Sequence, residues 1–399
     1  MGEIPLQLFN LVLRQYVKLF SRKVVQRYLL VAIFSINPDI FTHMFKDNYR
    51  VVGVMSGTSL DGVDFAFVNL SPNGDGSWSY EFIETATIPY ADYWQNKLRD
   101  CSQLSESEVK QLEVEYTGYL AGLLNQFVLS LPYAPDLVCS HGHTVWHRPD
   151  LGYTLQIGDG QTLADTLGIR VVSDFRSQDV AMGGQGAPLV PIGDRLLFGD
   201  YDYCLNLGGF ANCSMESGIE RLAFDLCPVN IVLNRYANQL GLAYDEGGLL
   251  ASQGKVNDSL IGQLDQLAFY QMDPPKSLGV EWVNQEMDPI LRNFEISVQD
   301  MLATLVRHMA GQIGRSIPQG SSVLVTGGGA YNHHLINQIG EQAKVRIELP
   351  SDQLIEYKEA LIFGLLGVLR FRGDINCLAS VTGANRDHSS GSIHHPTID

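Results

Sequence analysis

The sequence lacks the features that mark several classes of protein. Its six cysteines, at positions 101, 139, 204, 213, 227 and 377, form no Cys-x-x-Cys pair. A disulfide framework and a structural zinc site are therefore not expected, and a reducing compartment is indicated. Basic residues are scarce, with 27 Lys and Arg against 44 Asp and Glu, which gives a net charge of −17. That charge argues against non-specific binding to nucleic acid, which depends on cations that neutralise phosphates.

Long apolar runs are also missing. The longest uninterrupted one, Tyr28 to Phe34, is far shorter than the roughly 20 residues that span a bilayer, so stable membrane insertion is not expected. The first fifty residues carry a net charge of +4, against −21 for the rest of the chain. We expect residues 1–49 to be a dispensable extension, with Met44 as a plausible start. A membrane-surface helix and a signal-like segment stay open as alternatives.

The rest of the chain is typical of a globular α/β protein. Hydrophobic residues make up 45% and charged residues 18% of 399 residues, enough for two lobes of ordinary size. Apolar strands alternate with segments of helical spacing, which favours a largely parallel sheet in at least part of each lobe. The predicted strands are 51–55, 62–70, 136–139, 154–157, 170–172, 203–207 and 323–326. The predicted helices are 105–131, 161–167, 188–197, 228–240, 298–317 and 357–371.

Three apolar strands end in glycine-rich turns, at residues 53–64, 205–212 and 323–332. Such turns offer unhindered backbone N–H groups that can wrap phosphate oxygens. None has the spacing of a Walker P-loop or a Rossmann dinucleotide site, which makes a dehydrogenase a distant alternative. Asp61 and Asp64 in the first turn suit Mg²⁺, although Asp61-Gly62 is also a normal hairpin turn.

Six segments together resemble the anhydro-N-acetylmuramic acid kinases, from about Val51 to Ala384. They include Met-Ser-Gly-Thr-Ser-Leu-Asp-Gly and Gly-Gly-Gln-Gly-Ala-Pro, and they lie at residues 55–64, 140–146, 154–158, 174–191, 206–212 and 326–332. The resemblance implies a two-lobed actin/hexokinase/Hsp70-like (ribonuclease H-like) fold that closes on ATP and Mg²⁺. It also implies the reaction: ATP phosphorylates O6 of 1,6-anhydro-N-acetylmuramic acid while water opens the anhydro bridge, in peptidoglycan recycling.

The resemblance also implies a set of site residues. Asp225 is the expected catalytic base and Glu359 a second active-site carboxylate. The expected ATP-binding residues are Gly57, Thr58, Ser59, Leu60, Asp61, Gly62, Val63, Asp64, Gly208, Gly209, Gly327, Gly328, Gly329 and Asn332, with Asp61 and Asp64 toward the metal. The expected sugar-binding residues are His141, Thr144, Arg176, Asp179, Gln185, Gly186 and Asn230.

Each candidate also has a structural interpretation. Asp225 could cap the next helix, Glu359 could lie on the solvent side of its helix, and Arg176 and Asp179 could form a surface pair. His141 and His143 have metal-like spacing, but no further ligands complete a zinc site. The sequence departs from many members of the family in two places. Residues 224–230, Phe-Asp-Leu-Cys-Pro-Val-Asn, lack two glycines, and His143 replaces glutamine.

The expected organisation is an N-terminal lobe over 50–200 and a C-terminal lobe over 201–385. The last helix would pack back on the first lobe, and residues 386–399 would form a solvated tail. Small molecules are the expected partners, in the cytoplasm, and a homodimer stays open. Two other functions remain: a kinase of another amino sugar such as N-acetylglucosamine, and a non-catalytic nucleotide switch of the actin/Hsp70 kind.

Overall fold

The computed structural model describes residues 46–57 and 60–397. Contacts divide the chain after Asp47, and every element below belongs to the unit Asn48–Asp399. The expectations for residues 1–45, and those for Thr58 and Ser59, lie outside the described residues. In the described part, no helix has both the length and the apolar character that crossing a membrane requires.

The strands form two large sheets and a small hairpin. Their bounds are β1 Tyr49–Met55, β2 Gly62–Pro72, β3 Trp78–Pro89, β4 Leu137–Ser140, β5 His143–Arg148, β6 Tyr153–Ile157, β7 Val171–Ser173, β8 Tyr203–Leu207, β9 Phe210–Ser217, β10 Glu220–Pro228, β11 Ser322–Thr326, β12 Arg346–Glu348 and β13 Ser392–His394. The first sheet has the order β13-β7-β4-β1-β2-β3, and the second has the order β10-β9-β8-β11-β12. Within the described residues, strands β5 and β6 pair only with each other.

The two large sheets share one topology. In each, three consecutive strands form an antiparallel meander, β1-β2-β3 and β8-β9-β10. Two later strands then extend the sheet in parallel from the first strand of the meander, β4 and β7 in one sheet and β11 and β12 in the other. This repeated order is that of the ribonuclease H-like sheets of the actin/hexokinase/Hsp70-like fold, so the predicted fold class is confirmed.

Helices lie between some of the strands, but the strands of each meander follow one another with no α-helix between them. The expectation of a largely parallel sheet was wrong, because antiparallel meanders make both large sheets mixed. Their bounds are α1 Asp92–Arg99, α2 Glu106–Ser130, α3 Gly160–Leu167, α4 Ser177–Ala181, α5 Val190–Leu197, α6 Asn230–Asn238, α7 Leu249–Gln253, α8 Asp258–Leu264, α9 Val280–Trp282, α10 Asp288–Leu291, α11 Val298–Ser316, α12 His333–Ala343, α13 Asp352–Arg372 and α14 Ala379–Thr382. Local chemistry sets several ends. Ser105 and Glu108 form a reciprocal capping box that begins α2.

Helix α13 lies against the first sheet at very short range. A Cβ atom on Gly53 of β1 would lie 1.8 Å from the carbonyl oxygen of Ala360, so only glycine fits. The helix is buried nearly all round between Leu354 and Leu369, which explains why its sequence is apolar on every face. Its apolar side chains pack in one cluster with residues of both large sheets, among them Val51 and Leu324.

A buried polar network ties α13 to the second sheet. Lys358 of α13 forms an ion pair of 2.8 Å with Asp194 of α5, and both side chains are nearly inaccessible to solvent. The Ser214 hydroxyl donates to Asp194 over 2.5 Å and accepts from Arg221 over 2.8 Å. The fully buried Arg221 also pairs with Glu216. Each charge therefore has a partner, as a low-dielectric interior requires.

Three sequence expectations about elements were wrong. The helix expected from Pro188 begins at Val190, with Pro191 in its first turn, and the helix expected from Pro228 begins at Asn230 because Pro228 ends β10. The expected solvated tail is not free, because β13 pairs antiparallel with β7 at the sheet edge. The side chain of Asn376 also bonds the backbone at Ser390.

Candidate functional site

The glycine-rich turns after β8 and β11 lie side by side. These strands are parallel neighbours, and Asn206 pairs in register with Thr326, so their carboxyl ends meet at one edge. A Cβ on Gly327 would lie 2.5 Å from the Asn206 side-chain oxygen, and one on Gly329 would lie 2.7 Å from the Leu207 Cβ. Gly327 also has a φ of 81°. Glycine is required here because the two turns touch. Without side chains, the backbone N–H groups of both turns also stay open to a ligand.

The turn after β8 also holds the start of α6. The carbonyl oxygen of Gly209 accepts from the N–H of Val229, and that of Gly208 accepts from the N–H of Asn230. The Asn230 side chain donates to the Leu207 carbonyl oxygen over 3.3 Å. The structure thus places Asn230, an expected sugar contact, against the glycine-rich turns of the expected nucleotide side.

The turn after β11 continues through a short helical turn, Gly328–Tyr331, into α12. Asn332 is the N-cap of that helix, and its side-chain oxygen accepts from the N–H of Leu335 over 2.9 Å. Gly328 is next to Asn230, whose side-chain nitrogen would lie 3.9 Å from a Cβ at Gly328. The side-chain oxygen of Asn332 is therefore already used in capping α12, which leaves the other atoms of this residue for the expected contact with ATP.

The first turn carries the acidic residues. Gly57 accepts a backbone bond from Leu60, whose φ is 62°, while Gly62 and Val63 are buried at the start of β2. Asp64 is half-buried and accepts from the Thr87 hydroxyl over 2.6 Å. Asp61 is exposed.

The charges around Asp64 favour a cation. Burial raises the pKa of Asp64, and the nearby carboxylates of Asp61 and Glu356 raise it further, while the bond from Thr87 opposes the rise. A divalent cation would offset this repulsion, and carboxylate oxygens are the ligands that Mg²⁺ prefers. The residues present therefore fit Mg²⁺.

A row of polar residues crosses the second sheet to Asp225. Register pairs Thr326 of β11 with Asn206, Asn206 with Asn212, and Asn212 with Asp225 of β10. Residues in register on neighbouring strands point to the same face, so the row joins Asp225 to the strand ends that carry the glycine-rich turns. The geometry assembles a polar strip along the edge where phosphates would be held.

Asp225 itself is held by a loop from the same half of the chain. Its N–H donates to the Lys276 carbonyl oxygen, and its Oδ2 accepts from the N–H of Leu278 over 2.7 Å. The side chain is half-buried, and burial raises the pKa of Asp225 while the bond from Leu278 opposes the rise. The interpretation of Asp225 as an N-cap is wrong, since α6 begins five residues later with Val229 at its N-cap.

Arg176 is bound into its own loop. Its Nε donates to Nε2 of His141 over 2.9 Å, and one terminal nitrogen donates to the Gly186 carbonyl oxygen over 2.5 Å. Burial, with Arg176 nearby, keeps the pKa of His141 well below its usual range, so the neutral ring can accept that bond. Nδ1 of His141 in turn donates to the Gly142 carbonyl oxygen. Two guanidinium nitrogens are committed, which leaves less of Arg176 for the bidentate grip expected on a carboxylate.

Glu359 lies at the centre of a charged group. Its side chain is open to solvent, yet surrounding protein raises the pKa of Glu359, against the opposing charges of Arg176 and Lys358, while Asp64 raises it further. The structure therefore brings Arg176, Glu359 and Asp64 within electrostatic reach of one another. An accessible carboxylate among charged neighbours fits a cleft residue better than a plain solvent-facing position.

Asp179 does not reach solvent, so its expected direct contact with sugar does not hold in this structure. Its Oδ2 accepts from the N–H of Gly186 over 2.7 Å, and its Oδ1 accepts from the Thr382 hydroxyl over 2.7 Å. Asp179 instead positions the loop 183–186, in which the Gln185 side chain is exposed and available to a ligand. The surface pair between Arg176 and Asp179 is wrong for the same reason.

The two remaining candidates lie on β5. Nδ1 of the buried His143 bonds the Ser56 hydroxyl over 2.8 Å, and Ser56 bonds Tyr90 over 2.7 Å. Burial lowers the pKa of His143 to about 4. Thr144 is half-buried and accepts from the Gln156 side chain over 3.4 Å. His143 therefore supports Ser56, which lies within the first glycine-rich turn.

Comparison with known proteins decides the family. The family model "Anhydro-N-acetylmuramic acid kinase" matches residues 49–396. The chain belongs to this family. Anhydro-N-acetylmuramic acid kinases of Hydrogenovibrio crunogenus and Caldanaerobacter subterraneus are each 32% identical, over 86% and 87% of this chain and 98% and 97% of theirs. That of Gloeothece citriformis is 34% identical over 86% of this chain and 98% of its own.

Among solved structures, the (R)-2-hydroxyglutaryl-CoA dehydratase component A of Acidaminococcus fermentans is 14% identical with a TM-score of 0.40, over 81% of this chain and 99% of that one. This likeness is too distant to add to the fold assignment, which rests on the strand order.

The chain's departures from many members of the anhydro-N-acetylmuramic acid kinase family are accommodated locally. Cys227 and Val229 stand where those members have glycine, and neither has a positive φ; that of Val229 is −129°. Neither position therefore has the left-handed backbone that favours glycine. His143, in place of glutamine, keeps a hydrogen bond that an amide could also make.

Sequence reasoning did not single out Asn206, Asn212 and Lys358. The two asparagines lie in the segment 206–212. Alternation along β8 places Asn206 on the same face as the buried Cys204, which gave no sign of a ligand contact. Lys358 adjoins Glu359, but its buried partner Asp194 is 164 positions earlier and follows no local pattern.

Proposed function

We propose that this protein phosphorylates O6 of 1,6-anhydro-N-acetylmuramic acid with ATP and opens the anhydro bridge with water, giving N-acetylmuramic acid 6-phosphate and ADP. The family match along residues 49–396 supports the sugar and the reaction. The observation that carries the chemistry is the position of Asp225, a half-buried carboxylate in register with the polar row that ends at two glycine-rich turns.

Asp225 acts as the general base. Its Oδ2 is held by Leu278, which leaves Oδ1 to accept a proton, and its raised pKa makes it a stronger base than an exposed aspartate. Water forms a bond to C1 and gives a proton to Asp225 while the C1–O6 bond breaks. O6 then bonds the γ-phosphorus, and the bond from phosphorus to the ADP oxygen breaks.

The glycine-rich turns bind the phosphates. Phosphoryl transfer is promoted mainly by positioning and by stabilisation of charge, which backbone N–H groups at these turns supply. The proposed metal residues are Asp61 and Asp64, with Glu356 near them. Bound there, Mg²⁺ would neutralise phosphate charge.

The sugar lies against the loop 183–186 and the charged group of Arg176 and Glu359. The exposed Gln185 offers an amide, and the positive charge of Arg176 suits the lactyl carboxylate of the sugar. Glu359 orients the sugar or the attacking water. In this proposal the lobes 50–200 and 201–385 close over both substrates and exclude bulk water.

The test measures ADP release with 1,6-anhydro-N-acetylmuramic acid and, separately, with N-acetylglucosamine. Run in ¹⁸O-labelled water, bridge opening places solvent oxygen at C1, whereas phosphorylation of an open sugar does not. Asp225→Asn should bind ATP with unchanged affinity and lose turnover by at least about a thousandfold. The exposed aspartate variant Asp258→Asn is the control and should retain turnover.

Two results would contradict the proposal. ADP release with only an open amino sugar would make the chain an ordinary hydroxyl kinase. ATP binding with no ADP release for either sugar would favour the nucleotide switch. Near-normal turnover by Asp225→Asn would overturn the assignment of the base while leaving the reaction intact.

A further inference from the structure

Three metal-ligand atoms meet in the interior beside the loop 183–186. Oδ1 of Asp179, Sγ of Cys377 and Nε2 of His388 all lie within 4.8 Å of one another. The Cys377 thiol lies 3.1 Å from Asp179 Oδ1, and Nε2 of His388 lies 3.5 Å from the same oxygen. Their exposed fractions are 0%, 1% and 7% for Asp179, Cys377 and His388. The proposed reaction uses none of these groups directly.

The hydrogen bonding of His388 leaves one ring nitrogen available to a ligand. Its Nδ1 lies 3.2 Å from the Arg386 carbonyl oxygen, and because a carbonyl can only accept, Nδ1 carries the proton. In the neutral tautomer this leaves a lone pair on Nε2, which lies beside Asp179 and Cys377. That buried nitrogen has no hydrogen-bond partner among the described residues. Metal-binding histidines commonly donate the N–H of one ring nitrogen to a carbonyl and bind the metal through the other nitrogen. His388 has this arrangement, with Nδ1 at the carbonyl and Nε2 available.

Asp179 is fixed in the same manner. Its Oδ2 accepts from the N–H of Gly186, which turns Oδ1 toward Cys377 and His388. The Thr382 hydroxyl also donates to Oδ1 over 2.7 Å. Gly186 and Thr382, which are not proposed ligands, therefore orient the ligating oxygen of Asp179. Metal sites commonly have such contacts around their ligands.

We propose that Asp179, Cys377 and His388 bind one zinc ion. Sulfur, nitrogen and oxygen donors together suit Zn²⁺, whereas Mg²⁺ selects oxygen ligands alone. On binding, the thiol of Cys377 loses its proton to solvent and a bond from sulfur to zinc forms, with no change in oxidation state. This site is separate from the proposed Mg²⁺ residues Asp61 and Asp64.

The cluster joins three segments of the first sheet's surroundings. Asp179 lies on α4, Cys377 follows α13, and His388 precedes β13. Zinc would therefore fix the loop 183–186, which bonds Arg176, to the C-terminal segment. The three proposed ligands are spread over more than 200 positions, so they form no Cys-x-x-Cys pair or other local motif. The expectation of no structural zinc site rested on local motifs alone.

The test uses the full chain purified without a histidine tag and under reducing conditions. Elemental analysis should find about one zinc per chain, and adding equimolar zinc to chelator-treated protein should raise the melting temperature by about 3 °C or more. Cobalt(II) in place of zinc should give a sulfur-to-metal charge-transfer band in the near ultraviolet. None of these readouts depends on kinase activity, so the test is independent of the proposed function.

Matched variants locate the site. Cys377→Ser should abolish the cobalt–sulfur band, and Cys377→Ser and His388→Gln should each weaken zinc affinity at least about tenfold. Cys213→Ser, another buried free cysteine, and His395→Gln, an exposed histidine, should bind as the wild type does.

Three results overturn the proposal. In the first, the wild-type protein takes up neither zinc nor cobalt. In the second, the cobalt spectrum lacks the sulfur band. In the third, the cluster variants fold and bind zinc as tightly as the wild type. If the cluster variants do not fold, the wild-type cobalt spectrum and zinc stoichiometry decide alone. Failure would mean that Asp179, Cys377 and His388 form a plain hydrogen-bonded cluster.

Discussion

His143 should make the stability of this protein depend on pH below neutrality. The ring is 1% exposed, and burial lowers the pKa of His143 to about 4, against about 6.5 for a histidine in an unfolded chain. A group whose pKa is lower in the folded state contributes stability that is complete above the unfolded pKa and is lost as the pH falls toward the folded pKa. The window is therefore about pH 6.5 down to about pH 4.

The size of the effect follows from these two values. The folded protein excludes a proton that the unfolded chain binds, so protonation of the unfolded state lowers the free energy of unfolding by about 2 kcal/mol between pH 7 and pH 5. The limit at lower pH is about 3 kcal/mol. The Ser56 hydroxyl that bonds His143 also bonds Tyr90, and burial raises the pKa of Tyr90 to about 12. Tyr90 therefore stays neutral in this range and offers no negative charge to a protonated His143.

The assay compares His143→Gln with wild type by urea unfolding at several pH values, followed by tryptophan fluorescence. Glutamine keeps a hydrogen bond to Ser56 but does not titrate. Relative to wild type, the variant should gain about 2 kcal/mol in unfolding free energy between pH 7 and pH 5. His395→Gln replaces an exposed histidine and should parallel wild type. Parallel curves for His143→Gln as well would show that His143 is not held neutral by burial.

Three further changes test the packing, all by urea unfolding. Lys358→Met leaves the buried Asp194 carboxylate without its cation and should lower the free energy of unfolding by about 3–5 kcal/mol. The double variant Lys358→Met/Asp194→Asn should recover at least half of that loss. Equal losses in the single and double variants would refute the role of the ion pair. Gly53→Ala should cost more than about 3 kcal/mol, because its Cβ would lie 1.8 Å from the Ala360 carbonyl oxygen. Gly118→Ala, exposed in α2 with open space around it, should instead stabilise by about 1 kcal/mol, and a loss there would contradict the helix geometry.

Features set by neighbouring residues were predictable from the sequence. The ends of α2 at Ser105 and Leu131 follow from a capping box and from apolar spacing, which need no distant partner. The three glycine-rich turns were predicted as well, because each requires only a strand followed by small residues. The family resemblance then supplied what those turns hold, and the family match confirmed the kinase assignment.

Features set by distant residues were not predictable. Strand β13 forms because β7, about 220 positions earlier, offers an unpaired edge, whereas the Ser- and Gly-rich composition near it resembles a loop. Asp179 was expected to be accessible, as a sugar contact or in a surface pair, because its partners Cys377 and Thr382 follow it by 198 and 203 positions. Burial of a charged side chain depends on such partners, and local periodicity carries no information about them.

The segment that follows Asp225 shows the same limit beside the proposed catalytic residue. Strand alternation would bury every second residue of β10, but the register slips between Asp225 and Cys227, and the three residues Leu226, Cys227 and Pro228 are all buried. Bulges of this kind re-aim side chains and are frequent beside active sites. Asp225 itself ends the regular part of β10, in register with Asn212, and the slip that follows lets the next residues enter the core. Neither the residue types nor their spacing show where the slip falls, because it is set by pairing with β9.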